Sequence, residues 1–135
     1  MENNKGIILV ADDDEHVREF LRYFLETDFP DYSIEEYKNG DTLKNRLEDV
    51  VGKDNVKLLI TDNDMKSGLT GIKLIREYSA RVNFPIVLHY GGPDTIGKEA
   101  VESGAFGYLR KPCHFEELNN LVRAALGEKI HSRNT

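Results

Sequence analysis

Gly6-Ile7-Ile8-Leu9-Val10-Ala11-Asp12-Asp13 decides how this chain is read. Residues 7–11 form an unbroken apolar run, as expected of a strand covered on both faces of a sheet, and two adjacent carboxylates follow it at once. Downstream the spacing changes: Val17, Phe20, Leu21, Phe24 and Leu25 recur at i, i+3, i+4, i+7 and i+8, the stripe of an amphipathic helix. Asp14 is placed to cap that helix and Pro30 to end it. A strand buried on both sides and followed by an amphipathic helix is half of a βαβ unit.

The same alternation continues along the chain. Residues 32–37 read as a less apolar strand, suited to a sheet edge. Asn39-Gly40 reads as a turn, and Asp41 as the cap of a helix carrying Leu43, Leu47, Val50 and Val51 up to Gly52. Residues 56–61 form a third strand ending at Asp62. After a loop comes a helix with Ile72, Ile75 and Tyr78. Pro85 introduces a fourth strand over 86–89, and Gly91-Gly92-Pro93 precedes a helix stopped by Gly104. Residues 105–109 read as strand five. After Lys111-Pro112, the residues Phe115, Leu118, Leu121, Val122, Ala125 and Leu126 line a last helix. Five strands alternating with five helices call for a parallel sheet with right-handed crossovers and helices on both faces. The expected class is α/β, (βα)5, as one domain over 6–127 with polar tails at 1–5 and 128–135.

In such a sheet, ligands lie beyond the carboxyl ends of the strands. Asp12 and Asp13 follow strand one, Asp62 follows strand three and Lys111 follows strand five, so all four groups are expected at one rim. Three carboxylates together repel each other and call for a cation. The formal charge of −6 over 135 residues argues against a general nucleic-acid binder. No apolar stretch approaches the roughly 20 residues of a membrane span, and residues 1–5 lack a secretory signal pattern, so the expected location is cytoplasmic. Cys113 stands alone, which excludes an intrachain disulfide. His16, His89, His114 and His131 show no ligand spacing and are expected to hold no metal.

With these motifs in place the chain closely resembles the receiver domain of two-component response regulators: an acidic pair after strand one, an aspartate after strand three and Lys-Pro after strand five. Arg18, Met65, and Gly104-Ala105 ahead of Gly107-Tyr108-Leu109 add to the likeness. The resemblance implies the doubly wound flavodoxin-like strand order 2-1-3-4-5 and a signalling switch, not an enzyme with a turnover substrate. It implies Asp62 as phosphoacceptor and Mg2+ (or Mn2+) ligated by Asp13 and Asp62. Asp12 would act mainly through water, Asp64 through its backbone carbonyl, and Lys111 on the phosphoryl group. The Lys111–Pro112 bond is expected to be cis. A histidine kinase or histidine phosphotransfer protein would donate the phosphoryl group. The fourth helix, fifth strand and fifth helix would face a downstream protein, with no nucleic acid and no membrane as direct partner.

The sequence departs from the family's pattern in three places. Tyr90 stands where the family has a Ser or Thr whose hydroxyl bonds the phosphoryl oxygen, so weakened coupling to the distant face is expected. Lys66 replaces the usual proline in a loop that reads as one residue longer than usual. Asp64 adds a carboxylate two residues past Asp62. Tyr108 holds the position of the family's aromatic switch. Two other readings compete. A pseudo-receiver would signal by contact alone, with Tyr90 in its favour. A haloacid-dehalogenase-like phosphatase would use Asp62-Asn63-Asp64, but the motif order is reversed and little room is left for a cap.

Overall fold

Strand β1 (Gly6–Ala11) lies at the inside of a five-stranded parallel sheet whose order is β2-β1-β3-β4-β5. The computed structural model describes residues 5–65 and 69–128. Its other elements are α1 (Glu15–Asp28), β2 (Tyr32–Tyr37), α2 (Gly40–Val50), β3 (Val56–Thr61), α3 (Gly71–Tyr78), β4 (Ile86–Tyr90), α4 (Asp94–Glu102), β5 (Gly107–Arg110) and α5 (Phe115–Ala125). This is the alternation expected from the apolar spacing, with the less apolar β2 at an edge.

Strand alternation divides the core in two. Ile8, Val10, Leu58, Ile60 and Val87 face α1 and α5, packing with Leu21, Phe24, Leu25, Leu118 and Val122. Leu9, Ala11, Leu59, Leu88 and Tyr90 face the other side, with Leu43, Leu47, Leu74, Ile75 and Ala100 of α2, α3 and α4. Side chains of period two along a strand require this split, and it explains why the central strands read as continuous apolar runs.

Several local readings change. Asn39, not Asp41, caps α2: its side chain accepts from the Thr42 N–H, and the helix begins at Gly40, where a turn was expected. The short polar side chain of Asn39 reaches the free N–H groups from outside the first turn, whereas Asp41 already lies within it. Strand β4 runs one residue further than expected, to Tyr90, and β5 begins at Gly107 instead of Ala105. Phe115, expected on the buried face of α5, is 54% exposed and packs its ring against Phe20 and Phe24. Glu128, read as the first residue of a tail, accepts from the Tyr32 hydroxyl at 3.0 Å and pairs with Arg123 at 3.3 Å. The remainder of that tail, and Lys66, lie outside the described residues.

Candidate functional site

Register builds the site. In the β1–β3 ladder Ala11 pairs with Thr61, so Asp12 and Asp62 emerge side by side one residue beyond the ladder. Backbone bonds secure both: Asp62 N–H donates to the Ala11 carbonyl at 2.8 Å, and Asp12 N–H to that of Tyr37 at 3.0 Å. Lys111 leaves β5, two positions from β3 and three from β1 in the sheet, anchored by its N–H on the Tyr90 carbonyl at 2.7 Å, and the length of its side chain closes the gap. The Lys111–Pro112 bond is cis.

Lys111 Nζ lies 2.7 Å from Asp12 Oδ2 and 3.3 Å from Asp62 Oδ2. One carboxylate oxygen each from Asp12, Asp13 and Asp62 falls within 4.8 Å of the others. Asp12 is 1% exposed and Asp62 7%, whereas Asp13 is half-buried and Asp64 exposed. The carboxylate of Asp64 is not part of the three-carboxylate group. Tyr90 and Tyr108 do not join the group either: Tyr90 is enclosed beneath α4, and Tyr108 lies over that helix with its hydroxyl donating to Asp94 at 2.8 Å.

Two residues do more positioning than their sequence context suggested. Asn63 donates its N–H to Asp62 Oδ1 at 2.7 Å, accepts from the Ile72 N–H on its own side-chain oxygen at 3.0 Å, and accepts from Gly71 N–H at 2.9 Å. It thereby ties the loop after Asp62 to the start of α3. The signal for this was present, since asparagine beside a turn readily bonds backbone groups, but its partner lies nine residues on. Arg18, noted only as a family echo, donates to the Asp12 carbonyl at 2.7 Å and to Glu36 at 3.3 Å, fixing the end of β1 against β2.

Charge is unbalanced here. Burial raises the Asp62 carboxyl above the usual aspartate range; the neighbouring Asp12 adds to this, and Lys111 only partly opposes it. For Lys111, burial pulls the ammonium down, but bonding to Asp12 and attraction to Asp62 outweigh it, so it titrates above an ordinary lysine. Three carboxylates against one ammonium leave two negative charges, which one divalent ion neutralises. The donors are all hard oxygens, the set magnesium prefers. On both counts the residues fit such an ion.

A raised carboxyl value means that ionised Asp62 costs stability in the folded state, a cost absent below the unfolded-state value and complete above the folded one. Asp62→Asn is therefore expected to raise the metal-free melting temperature by a few degrees at neutral pH. The gain should shrink as pH falls into the carboxylate range. Thermal melts in chelator at several pH values check this, and a lowered melting temperature at neutral pH contradicts it.

His89, 3% exposed, lies beside this edge; among the described residues its Nδ1 has no partner, and its Nε2 is 3.8 Å from Cys113 Sγ. Burial, with a lesser push from Lys111, lowers it to about 4, so the ring is neutral near pH 7.

A sequence profile of the response regulator receiver domain matches residues 8–123. The chain belongs to this family. Among relatives of this receiver domain, the transcriptional regulatory protein ResD of Bacillus subtilis is 32% identical over 127 residues, covering 93% of this chain and 50% of ResD. The regulatory protein AtoC of Escherichia coli is 30% identical over 121 residues, covering 88% of this chain and 25% of AtoC. The receiver domain thus spans half or less of either relative. Among solved structures, a response regulator receiver domain protein from Clostridium thermocellum superposes with a TM-score of 0.77 at 25% identity, covering 90% of this chain and 94% of its own. Full-length FixJ from B. japonicum gives 0.77 at 26% identity, covering 92% of this chain and 59% of its own. Both share the doubly wound architecture, and receiver domains are signalling domains of two-component systems. Among the described residues, no helix is long and apolar enough to cross a membrane.

Proposed function

We propose that this receiver domain, spanning residues 6–127, is a phosphorylation-controlled signalling element that accepts a phosphoryl group on Asp62. The observation that carries the reading is the convergence of three carboxylate oxygens within 4.8 Å, with Lys111 Nζ 3.3 Å from Asp62 Oδ2. Asp12, Asp13 and Asp62 would hold Mg2+ (or Mn2+), with the Asp64 carbonyl as a further ligand. The ion, when bound, supplies positive charge against the phosphoryl oxygens, where transfer depends mainly on positioning and neutralisation.

The chain's own residues do the rest. Asn63 N–H holds one oxygen of Asp62 and Lys111 the other, which fixes the plane of the nucleophile. A carboxylate oxygen of Asp62 forms the new O–P bond while the donor's P–N bond breaks, its electron pair leaving on the imidazole nitrogen. Lys111 shields the incoming negative charge from Asp12, to which it is already bonded. A histidine kinase or histidine phosphotransfer protein is the proposed donor; a relative over 133 residues is itself named a histidine kinase, from Formosa agariphila. Output would pass by protein contact in the cytoplasm, with no turnover substrate beyond the phosphoryl group itself.

Incubation with acetyl phosphate and magnesium, followed by intact mass and peptide mapping, tests the reading. One phosphoryl group on Asp62, abolished by chelator and absent in Asp62→Asn, is expected. An unmodified wild-type protein that also takes up no magnesium in calorimetry would favour the pseudo-receiver, a contact module that keeps the fold without the chemistry.

A further inference from the structure

Tyr90, the last residue of β4, is completely buried. Helix α4 starts four residues later behind Pro93, which provides no side-chain cap. The Tyr90 phenol occupies that place: its hydroxyl donates to the Pro93 carbonyl at 2.9 Å and accepts from the Gly97 N–H at 3.0 Å. Gly97 and Pro93 are the two groups that an uninterrupted helix would join directly, i to i−4. The hydroxyl is thus inserted into the first turn of α4 as part of its hydrogen bonding.

Strand β5 closes on the same point. A Cβ at Gly97 would lie 2.2 Å from Tyr108 Cδ2, so the Tyr108 ring rests on α4 only because this residue is glycine. The Tyr108 hydroxyl donates to Asp94 Oδ1 at 2.8 Å, and the Tyr90 and Tyr108 rings stand 6.1 Å apart between centroids. Strands β4 and β5 and helix α4 are therefore joined through two phenols.

A phosphoryl group presents only acceptor oxygens, and a phenol has one proton to give. That proton is committed to Pro93. Withdrawing Tyr90 toward Asp62 would break both hydrogen bonds and empty an aromatic-sized space in the core. We propose that Tyr90 latches α4 and β5 in one arrangement whether or not Asp62 is phosphorylated, so that only a protein docking directly over the Asp12, Asp62 and Lys111 edge reads the phosphoryl state. The latch stands on its own contacts; its consequence for signalling rests on Asp62 phosphorylation.

Amide exchange and 15N shifts of the full chain test both parts. In Tyr90→Phe the Gly97 amide should exchange roughly tenfold faster, the factor for one lost net hydrogen bond. Unchanged Gly97 exchange overturns the latch. With magnesium and beryllium fluoride, a phosphoryl mimic, wild-type shifts should move at Asp13, Asn63 and Lys111 and stay in place at Gly97 and Tyr108. Movement at Gly97 and Tyr108 as large as at Asn63 overturns the proposal. Silence at Asn63 as well would instead count against phosphorylation of Asp62, while Gly97 exchange still decides the latch.

Discussion

Lys111→Met is expected to lower the metal-free unfolding free energy by about 3 kcal/mol at pH 7, toward the lower end for breaking a buried ion pair. Lys111 Nζ is bonded to Asp12 Oδ2 at 2.7 Å, and Asp12 is only 1% exposed. Without the ammonium, the Asp12 carboxylate keeps one described hydrogen-bond donor, the Asp14 N–H at 2.9 Å, and faces the Asp62 carboxylate. The uncompensated charge, more than the lost bond, sets the size of the effect. It should therefore weaken on acidification, as Asp62, whose carboxyl burial raises, takes up a proton and ceases to repel Asp12, and most of it should return in the Asp12→Asn, Lys111→Met double variant. Urea unfolding of the four proteins at pH 7 and near pH 4 makes the comparison. A loss under about 1 kcal/mol, in the range of exposed pairs, or one independent of pH, would show that the pair carries no such load.

Gly71→Ala is the second large effect, about 3 kcal/mol, at the upper end for overpacking. A Cβ there would lie 2.4 Å from the Asp62 carbonyl oxygen, 2.9 Å from Leu88 Cδ1 and 3.0 Å from Asn63 Cα. Two of these neighbours are backbone, so no rotamer change relieves the contact. Relief must come from moving α3 away from the loop, which strains the Gly71 N–H and Ile72 N–H bonds to Asn63. The same variant should thus weaken magnesium uptake as well as stability, tying a packing defect to the site. Gly91→Ala serves as control: a Cβ at Gly91 meets nothing within 4 Å, and a change under about 0.5 kcal/mol is expected. Equal losses in the two variants would remove the argument from close packing.

How far these residues could be read in advance differs from one to another. Asp12, Asp62 and Lys111 were legible because each follows an apolar run, and a parallel sheet sends every strand end to the same rim. Asn63 and Gly71 were not legible as positioning residues, because their contacts join a loop to a helix across a segment with no periodic pattern. The sequence points to Asp41 and the structure to Asn39 as the cap of α2, because both residue types cap helices and sit two positions apart. Tyr90 was recognised as a departure from the family, but nothing in the local sequence says that a phenol would reach past Pro93 to Gly97.

The order of elements, the two-sided burial of β1, β3 and β4, and the gathering of acidic groups at one edge follow from the sequence alone, since side-chain period and strand direction are local properties that the whole sheet repeats. The pairing of Lys111 with both Asp12 and Asp62, the hold of Asn63 on Asp62, and the insertion of the Tyr90 hydroxyl into α4 were decided only by the tertiary structure. The Lys111 contacts join segments remote in the chain, while those of Asn63 and Tyr90 depend on how a loop turns and packs against α3 and α4. Register and packing set these distances, and the periodicity of a single segment does not encode them.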